Sequence, residues 1–297
     1  LRLLSATTVT HTAFPPPQVD CLDNGLHTLL MPEPQARVTH AALVVKVGTR
    51  HEQPHEKGAA HMLEHLLFKG TRRRKAWHIL NRIDSLGGEL NAYTTREKTV
   101  FHATVPAEHS AKAIDLLLDI GFGSTLPAAE LEKERQVVAE EIDMYRETPD
   151  EAILEDFDLQ LFGEHPLGWP ILGSRESLDQ LDQQTLLAFY RQWYQPHNAV
   201  LAVSGPLTPK RLRTVALGSM DEPDKTQQLA HGGGLGASAA RLPQPAPPPQ
   251  IRVDRQIQHT GNQQGHLVVG GPAYAYRQGH YMAFQVLNHY LGGPTMN

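Results

Sequence analysis

The stretch Glu56–Phe68, EKGAAHMLEHLLF, places Met62, Leu63, Leu66 and Leu67 three and four residues apart, which is helical spacing, and Gly70 stands where such a helix would end. Working outward, two earlier runs, Asn24–Pro32 (NGLHTLLMP) and Val38–Gly48 (VTHAALVVKVG), are rich in branched apolar residues and bounded by turn formers. They predict two strands paired as a hairpin. Downstream, a helix over Ala76–Leu86 is stopped by Gly87-Gly88, and strands are predicted over Leu90–Thr94 and Thr99–Val105. Further helices are predicted over Ala107–Gly121, Ala128–Glu147, Glu151–Phe162 and Leu178–Trp193, with Pro127 near the start of the second, where proline costs nothing. Ala199–Val203 reads as a returning strand. Strands and helices mix without strict alternation, so the expected fold class is α+β: a mixed, largely antiparallel sheet packed against helices, rather than a doubly wound sheet.

The chain has 297 residues, 40% of them hydrophobic, enough to bury a core and to exclude a disordered chain. Its net charge of −5, from 27 basic and 32 acidic side chains, argues against a nucleic-acid partner. No apolar run reaches the roughly 18 residues of a membrane span, so a soluble chain is expected, cytoplasmic or periplasmic. It begins with leucine, and a preceding targeting segment stays open. The single cysteine, Cys21, rules out an internal disulfide or a cysteine-based metal cluster, whereas 17 histidines are available as ligands.

Inside the predicted helix, His61-Met62-Leu63-Glu64-His65 is an H-x-x-E-H pattern. Positions i, i+3 and i+4 share one helical face, so both imidazoles can converge on one ion with Glu64 beside them. A surface helix with two ordinary histidines would show the same pentapeptide. A catalytic zinc site needs three protein ligands and an open position, and the helix Ala128–Glu147 offers the third. Its apolar stripe is Leu131, Val138, Ile142 and Tyr145; Glu134 and Glu141 lie along one edge and Glu140 on the opposite face. Carboxylates at the margin of a buried face need positive compensation, which a metal would supply, unless they are flanking acids whose stems border the core.

These residues resemble the inverted-motif zinc metallopeptidases, the M16-like family of pitrilysin, insulin-degrading enzyme and the mitochondrial processing peptidases. H-x-x-E-H is followed, 76 positions after His65, by Glu141 in the run Glu134-Arg135-Gln136-Val137-Val138-Ala139-Glu140-Glu141. Gly48-Thr49-Arg50, Phe68-Lys69-Gly70-Thr71, Gly87-Gly88, Asn91-Ala92-Tyr93-Thr94 and the segment Tyr194–Gly205 are similar to residues at matching places in relatives, so the resemblance covers nearly the whole chain. It implies that His61, His65 and Glu141 hold one zinc ion per chain, that Glu64 is the catalytic base and that Glu134 supports the site without being a ligand. The implied activity is zinc-dependent endopeptidase hydrolysis of extended or unfolded peptides, with water activated by Glu64 at the zinc as nucleophile. Asn91, Ala92, Tyr93 and Thr94 match an edge strand that pairs with substrate backbone; an ordinary sheet strand would read the same. A non-catalytic peptide-binding or assembly subunit of the same family is the alternative.

Composition shifts after about residue 220. The segment 221–250, with HGGGLGASAA and PQPAPPPQ, reads as a linker between a catalytic domain over 15–220 and an incomplete start of a second, similar domain over 251–297. In that start, a strand is predicted over Gly265–Gly270 and a helix over Gln278–Leu291. The resemblance implies that the rest of the second half carries an arginine and a tyrosine that help hold substrate. A truncated chain, a homodimer or a partner subunit supplying that half are the expectations. Four other signals are set aside. Lys69–Lys75 (KGTRRRK) reads as a solvated basic loop, and His231-Gly232-Gly233-Gly234 as linker. His51, His55, His102 and His259 read as surface or turn residues, and Trp77, Trp169 and Trp193 as core or interface.

Overall fold

Thr39, Ala41, Leu43 and Val45 are buried while the residues between them are more open, the period-two signature of a strand with one covered face. The computed structural model describes residues 16–220 and, beyond them, 242–243, 247, 254–258, 264–271, 273–276 and 278–292. Strands β1 (Gln18–Cys21), β2 (His27–Pro32), β3 (Val38–Val45), β4 (Glu89–Thr94), β5 (Thr99–Pro106) and β6 (Ala199–Gly205) form one sheet in the order β1-β2-β6-β3-β5-β4. Each neighbouring pair is antiparallel except β2 with β6. The α+β class with a largely antiparallel sheet is thus the observed one.

The hairpin expected from β2 and β3 does not form. Strand β6 lies between them, parallel to β2 and antiparallel to β3. With Ala199, Leu201 and Val203 buried, β6 is a central strand whose backbone groups need a partner on each side. The β2–β3 connection carries strand-like residues on both flanks, but sequence proximity is blind to a strand arriving from the far end of the domain.

Register brings Leu43 opposite both Phe101 and Leu201, so the core-facing residues of the three central strands form one apolar surface. Helix α3 (Ser110–Gly123) lies on it so closely that a Cβ on Gly121 would meet Leu43 Cδ2 at 2.3 Å. Helices α1 (Ala59–Leu67) and α2 (Ala76–Asp84) cover the β4 end of the sheet, and α4 (Ala128–Glu147) packs on α1. Helix α1 starts three residues later than expected, because Pro54–Glu56 closes a separate 3-10 turn and Gly58, at φ +89°, redirects the chain. Helix α5 (Pro149–Phe162) follows α4. The helix expected over 178–193 is two: α6 (Arg175–Gln180), capped by Ser174, and α7 (Gln183–Trp193), begun by Asp182, whose carboxylate accepts the Thr185 N–H at 2.7 Å. Strand β1 and helix α8 (Pro209–Met220) are additions to the expected elements.

Gly265–Gly270 is not a strand: among the described residues no chain runs alongside it to complete a ladder. Helix α9 (Tyr281–Gly292) follows, with Met282, Val286, Tyr290 and Leu291 exposed. The expected linker lies outside the described residues apart from 242–243 and 247, as do His231–Gly234 and His259. No helix among the described residues is long and apolar enough to cross a membrane.

Candidate metal centre

Helix α1 is buried along Ala59, Ala60, Met62, Leu63, Leu66 and Leu67, and this packing turns His61, Glu64 and His65 toward α4 and β4. Its N-terminus has no local capping side chain; the carboxylate of Glu52 does that work, accepting the N–H groups of Gly58 at 3.0 Å and Ala60 at 2.9 Å. Glu52 is only 2% exposed, and burial pushes its carboxyl up to about 8 despite those two hydrogen bonds.

His61, His65 and Glu141 converge. Their ligand atoms all lie within 4.8 Å of one another, and they are the one group of this kind among the described residues. The Glu141 Oε2 atom is 3.8 Å from His61 Nε2 and 3.5 Å from His65 Nε2. Burial and the neighbouring His65 hold the His61 imidazole below its ordinary range, favouring the neutral form that can donate a lone pair. Burial also opposes a charge on His65, but hydrogen bonds to Glu141 and Glu134 outweigh it and raise that ring. Glu141 is lowered, chiefly by its hydrogen bond to His65. The cluster therefore favours positive charge between two carboxylates, in reach of a neutral imidazole. Two nitrogens and one carboxylate oxygen are a donor set that fits zinc.

Glu64 lies beside the cluster and receives a hydrogen bond at 2.6 Å from the Thr94 hydroxyl to Oε2. Burial raises its carboxyl and the Thr94 bond pulls the other way. Glu134 is 5% exposed, so it is no flanking surface acid; its Oε2 is 3.1 Å from His65 Nδ1. Glu140 is exposed, as its helical phase implied.

Strand β4 is at the edge of the sheet among the described residues, paired on one side by β5. Its residues alternate: Leu90, Ala92 and Thr94 are partly buried toward the helices, while Glu89, Asn91 and Tyr93 are exposed. Of the four residues matched to a substrate strand, Thr94 thus turns its side chain onto Glu64, while Asn91 and Tyr93 face outward.

The basic run is solvated as expected at Arg72, Arg73 and Lys75, which are exposed, but it is not without partners. Arg73 and Arg74 pair with Asp115, Arg74 also with the buried Asp119, and Lys69 reaches Glu134 at 2.7 Å. Lys69 is the site residue that the sequence reading passed over, although its phase was readable: His61, His65 and Lys69 are spaced i, i+4 and i+8. Trp169 and Trp193 are buried, and His51, which lies in the 3-10 turn Thr49–His51 as a turn residue, packs edge-on against Trp193 at 4.8 Å. Trp77 is 68% exposed, so of the core or interface places expected for it the core is excluded.

Comparison with known proteins places this geometry in context. The family model described as insulinase, peptidase family M16, matches residues 28–175, and that described as the peptidase M16 inactive domain matches 180–296. A Bacillus subtilis protein named uncharacterized zinc protease YmxG is 31% identical over 272 residues, 91% of this chain and 62% of that protein. An uncharacterized zinc protease of Rickettsia bellii is 38% identical over 187 residues, 63% of this chain and 45% of that one. The chain therefore spans less than two thirds of the length of either relative. Among solved structures, a protease from Helicobacter pylori superposes with a TM-score of 0.70 at 25% identity, over 78% of this chain and 54% of its own. Pitrilysin superposes with a TM-score of 0.62 at 28% identity, over 68% of this chain and 22% of its own.

Proposed function

The chain belongs to peptidase family M16, and on that footing we propose that it is a zinc-dependent metalloendopeptidase, or the catalytic half of one, acting on extended or unfolded peptides. The observation that carries this reading is the convergence of His61, His65 and Glu141 within 4.8 Å, with the Glu64 carboxylate close enough to feel the charges of His65 and Glu141. His61, His65 and Glu141 would hold one zinc ion. When bound, zinc supplies Lewis acidity, polarising a peptide carbonyl and lowering the pKa of water from 15.7 toward about 7.

The remaining work falls to the chain's own groups. Glu64 takes a proton from the attacking water at a carboxylate oxygen and passes it to the leaving amine nitrogen. Thr94, bonded to Oε2, limits the rotation of that carboxylate. Glu134 holds Nδ1 of His65, so that Nε2 is the nitrogen turned to the ligand cluster. The open edge of β4 would take a peptide as an added strand, its main chain along Asn91, Ala92, Tyr93 and Thr94; such pairing reads backbone before side chains, which suits unfolded substrates.

We read residues 15–220 as the catalytic domain, 221–250 as a linker and 251–297 as part of a second, similar domain. The test is metal analysis together with cleavage of a quenched, unstructured peptide, with and without chelator. About one zinc per chain and chelator-sensitive cleavage are expected. Zinc without cleavage would point to a half that needs its complement, and absence of zinc binding would defeat the enzyme reading.

A further inference from the structure

Lys69 closes a chain of contacts that ends on a proposed ligand. Helix α1 finishes at Leu67, but the Lys69 N–H still bonds to the Leu66 carbonyl at 3.0 Å, which keeps Lys69 in the turn below His65. From there its Nζ meets Glu134 Oε1 at 2.7 Å, while Glu134 Oε2 faces His65 Nδ1 at 3.1 Å. Each oxygen of this buried carboxylate is thus engaged, one by the imidazole on α1 and one by the ammonium from the turn that follows it. His61 has no comparable support, since its buried Nδ1 lacks a hydrogen-bond partner among the described residues.

Resting on the zinc reading above, we propose that Lys69 is a positioning residue for the metal centre: by clamping Glu134 it fixes the ring orientation and Nδ1–H tautomer of His65. Three physical points carry this. A carboxylate that is 5% exposed needs a compensating cation, and Lys69 is the one whose ammonium touches it. A partner that pins the second nitrogen of a ligating histidine sets its tautomer and basicity. An ammonium seated on Oε1 also withholds that oxygen from a competing cation, which keeps Glu134 as a support rather than a fourth ligand.

The proposal makes a prediction opposite in sign to bulk electrostatics. Removing a positive charge near a cation site should tighten zinc binding if Lys69 acts only through its charge; loss of positioning should weaken it. The experiment measures the zinc dissociation constant of the full chain by chelator competition for the wild type, Lys69→Met, Lys69→Arg, Glu134→Gln and the double variant Lys69→Met/Glu134→Gln. Glu134→Gln is expected to weaken binding about 10–100-fold, the usual cost of losing an outer-shell partner, and Lys69→Met by about 3–10-fold within that chain of effect. Lys69→Arg should stay close to wild type, and the double variant should be no weaker than Glu134→Gln alone, because Lys69 acts through Glu134. Nitrogen-15 shifts of His65 in the zinc-free chain, taken at a pH high enough to hold that ring neutral, should show a single Nδ1–H tautomer in the wild type and a mixture in Lys69→Met. Thermal unfolding of the zinc-free variants checks that they fold, with Lys69→Gln as the second neutral substitution. Zinc binding unchanged or tightened in the neutral variants, or an equal loss in the Glu134→Gln background, would overturn the positioning role while leaving the zinc reading intact. A wild-type chain that binds no zinc would overturn both.

Discussion

Glu64 is caught between two opposing effects: burial pushes its carboxyl up, and the Thr94 hydroxyl at 2.6 Å favours the ionised form. As the proton carrier of the proposed reaction it is the residue whose loss should separate binding from turnover. Glu64→Gln is expected to keep zinc at wild-type stoichiometry while cleavage falls about 10²–10⁴-fold, the usual contribution of a positioned acid–base group; a variant cutting at the parent rate would remove Glu64 from that role. Glu52 provides a test in stability rather than activity. Its carboxyl is pushed up to about 8 by burial, against 4.5 ordinarily, so between those values the unfolded chain has released a proton that the folded chain retains. Stability contributed by this group is therefore present below about pH 4.5 and lost as pH rises toward 8. Urea unfolding of wild type and Glu52→Gln at pH 5 and pH 8 should show the wild type losing ground to the variant across that interval by a few kcal/mol, since each pKa unit is worth about 1.4 kcal/mol. A difference independent of pH would mean that Glu52 is already ionised in the fold.

Helix α1 does most to build the site, and its placement depends on how it begins. Gly58 has φ +89°, and a Cβ there would stand 2.9 Å from the Leu172 carbonyl oxygen. Gly58→Ala should therefore cost about 1–3 kcal/mol in chemical denaturation, from the left-handed backbone and that contact together; a change within 0.5 kcal/mol would mean that the segment relaxes freely. The helical phase of His61, Glu64 and His65 could be read from spacing alone, because i, i+3 and i+4 share a face whatever the tertiary context. The same rule separated Glu134 and Glu141 from Glu140 on α4, and both acids do lie toward α1. It could not tell which charged neighbours come within reach across the interface. Sequence proximity therefore groups Lys69 with the arginines beside it, while the fold sends it to Glu134 and sends Arg73 and Arg74 to Asp115.

For the molecule as a whole, the ligand set joins α1 to α4, two helices on opposite sides of the Gly70–Leu126 connection, so a bound metal acts as a cross-link of the folded state. Zinc at about 100 times its dissociation constant should add about 2.7 kcal/mol to stability. That corresponds to a rise of roughly 5–10 °C in Tm for a domain of this size, reversed by chelator. An unchanged Tm would place the metal elsewhere or nowhere. The chain's own sequence determined the α+β class, most element positions, and that His61, Glu64 and His65 share one helical face and Glu134 and Glu141 another, since these follow from local periodicity; that the two faces meet was implied by the family resemblance alone. Only the tertiary structure decided that β6 separates β2 from β3, that Thr94 turns inward to Glu64, that Glu52 caps α1 and that Lys69 closes on Glu134. Each of these is a contact between segments distant in the chain, made because a buried backbone edge or carboxylate must find its partner wherever the fold supplies one.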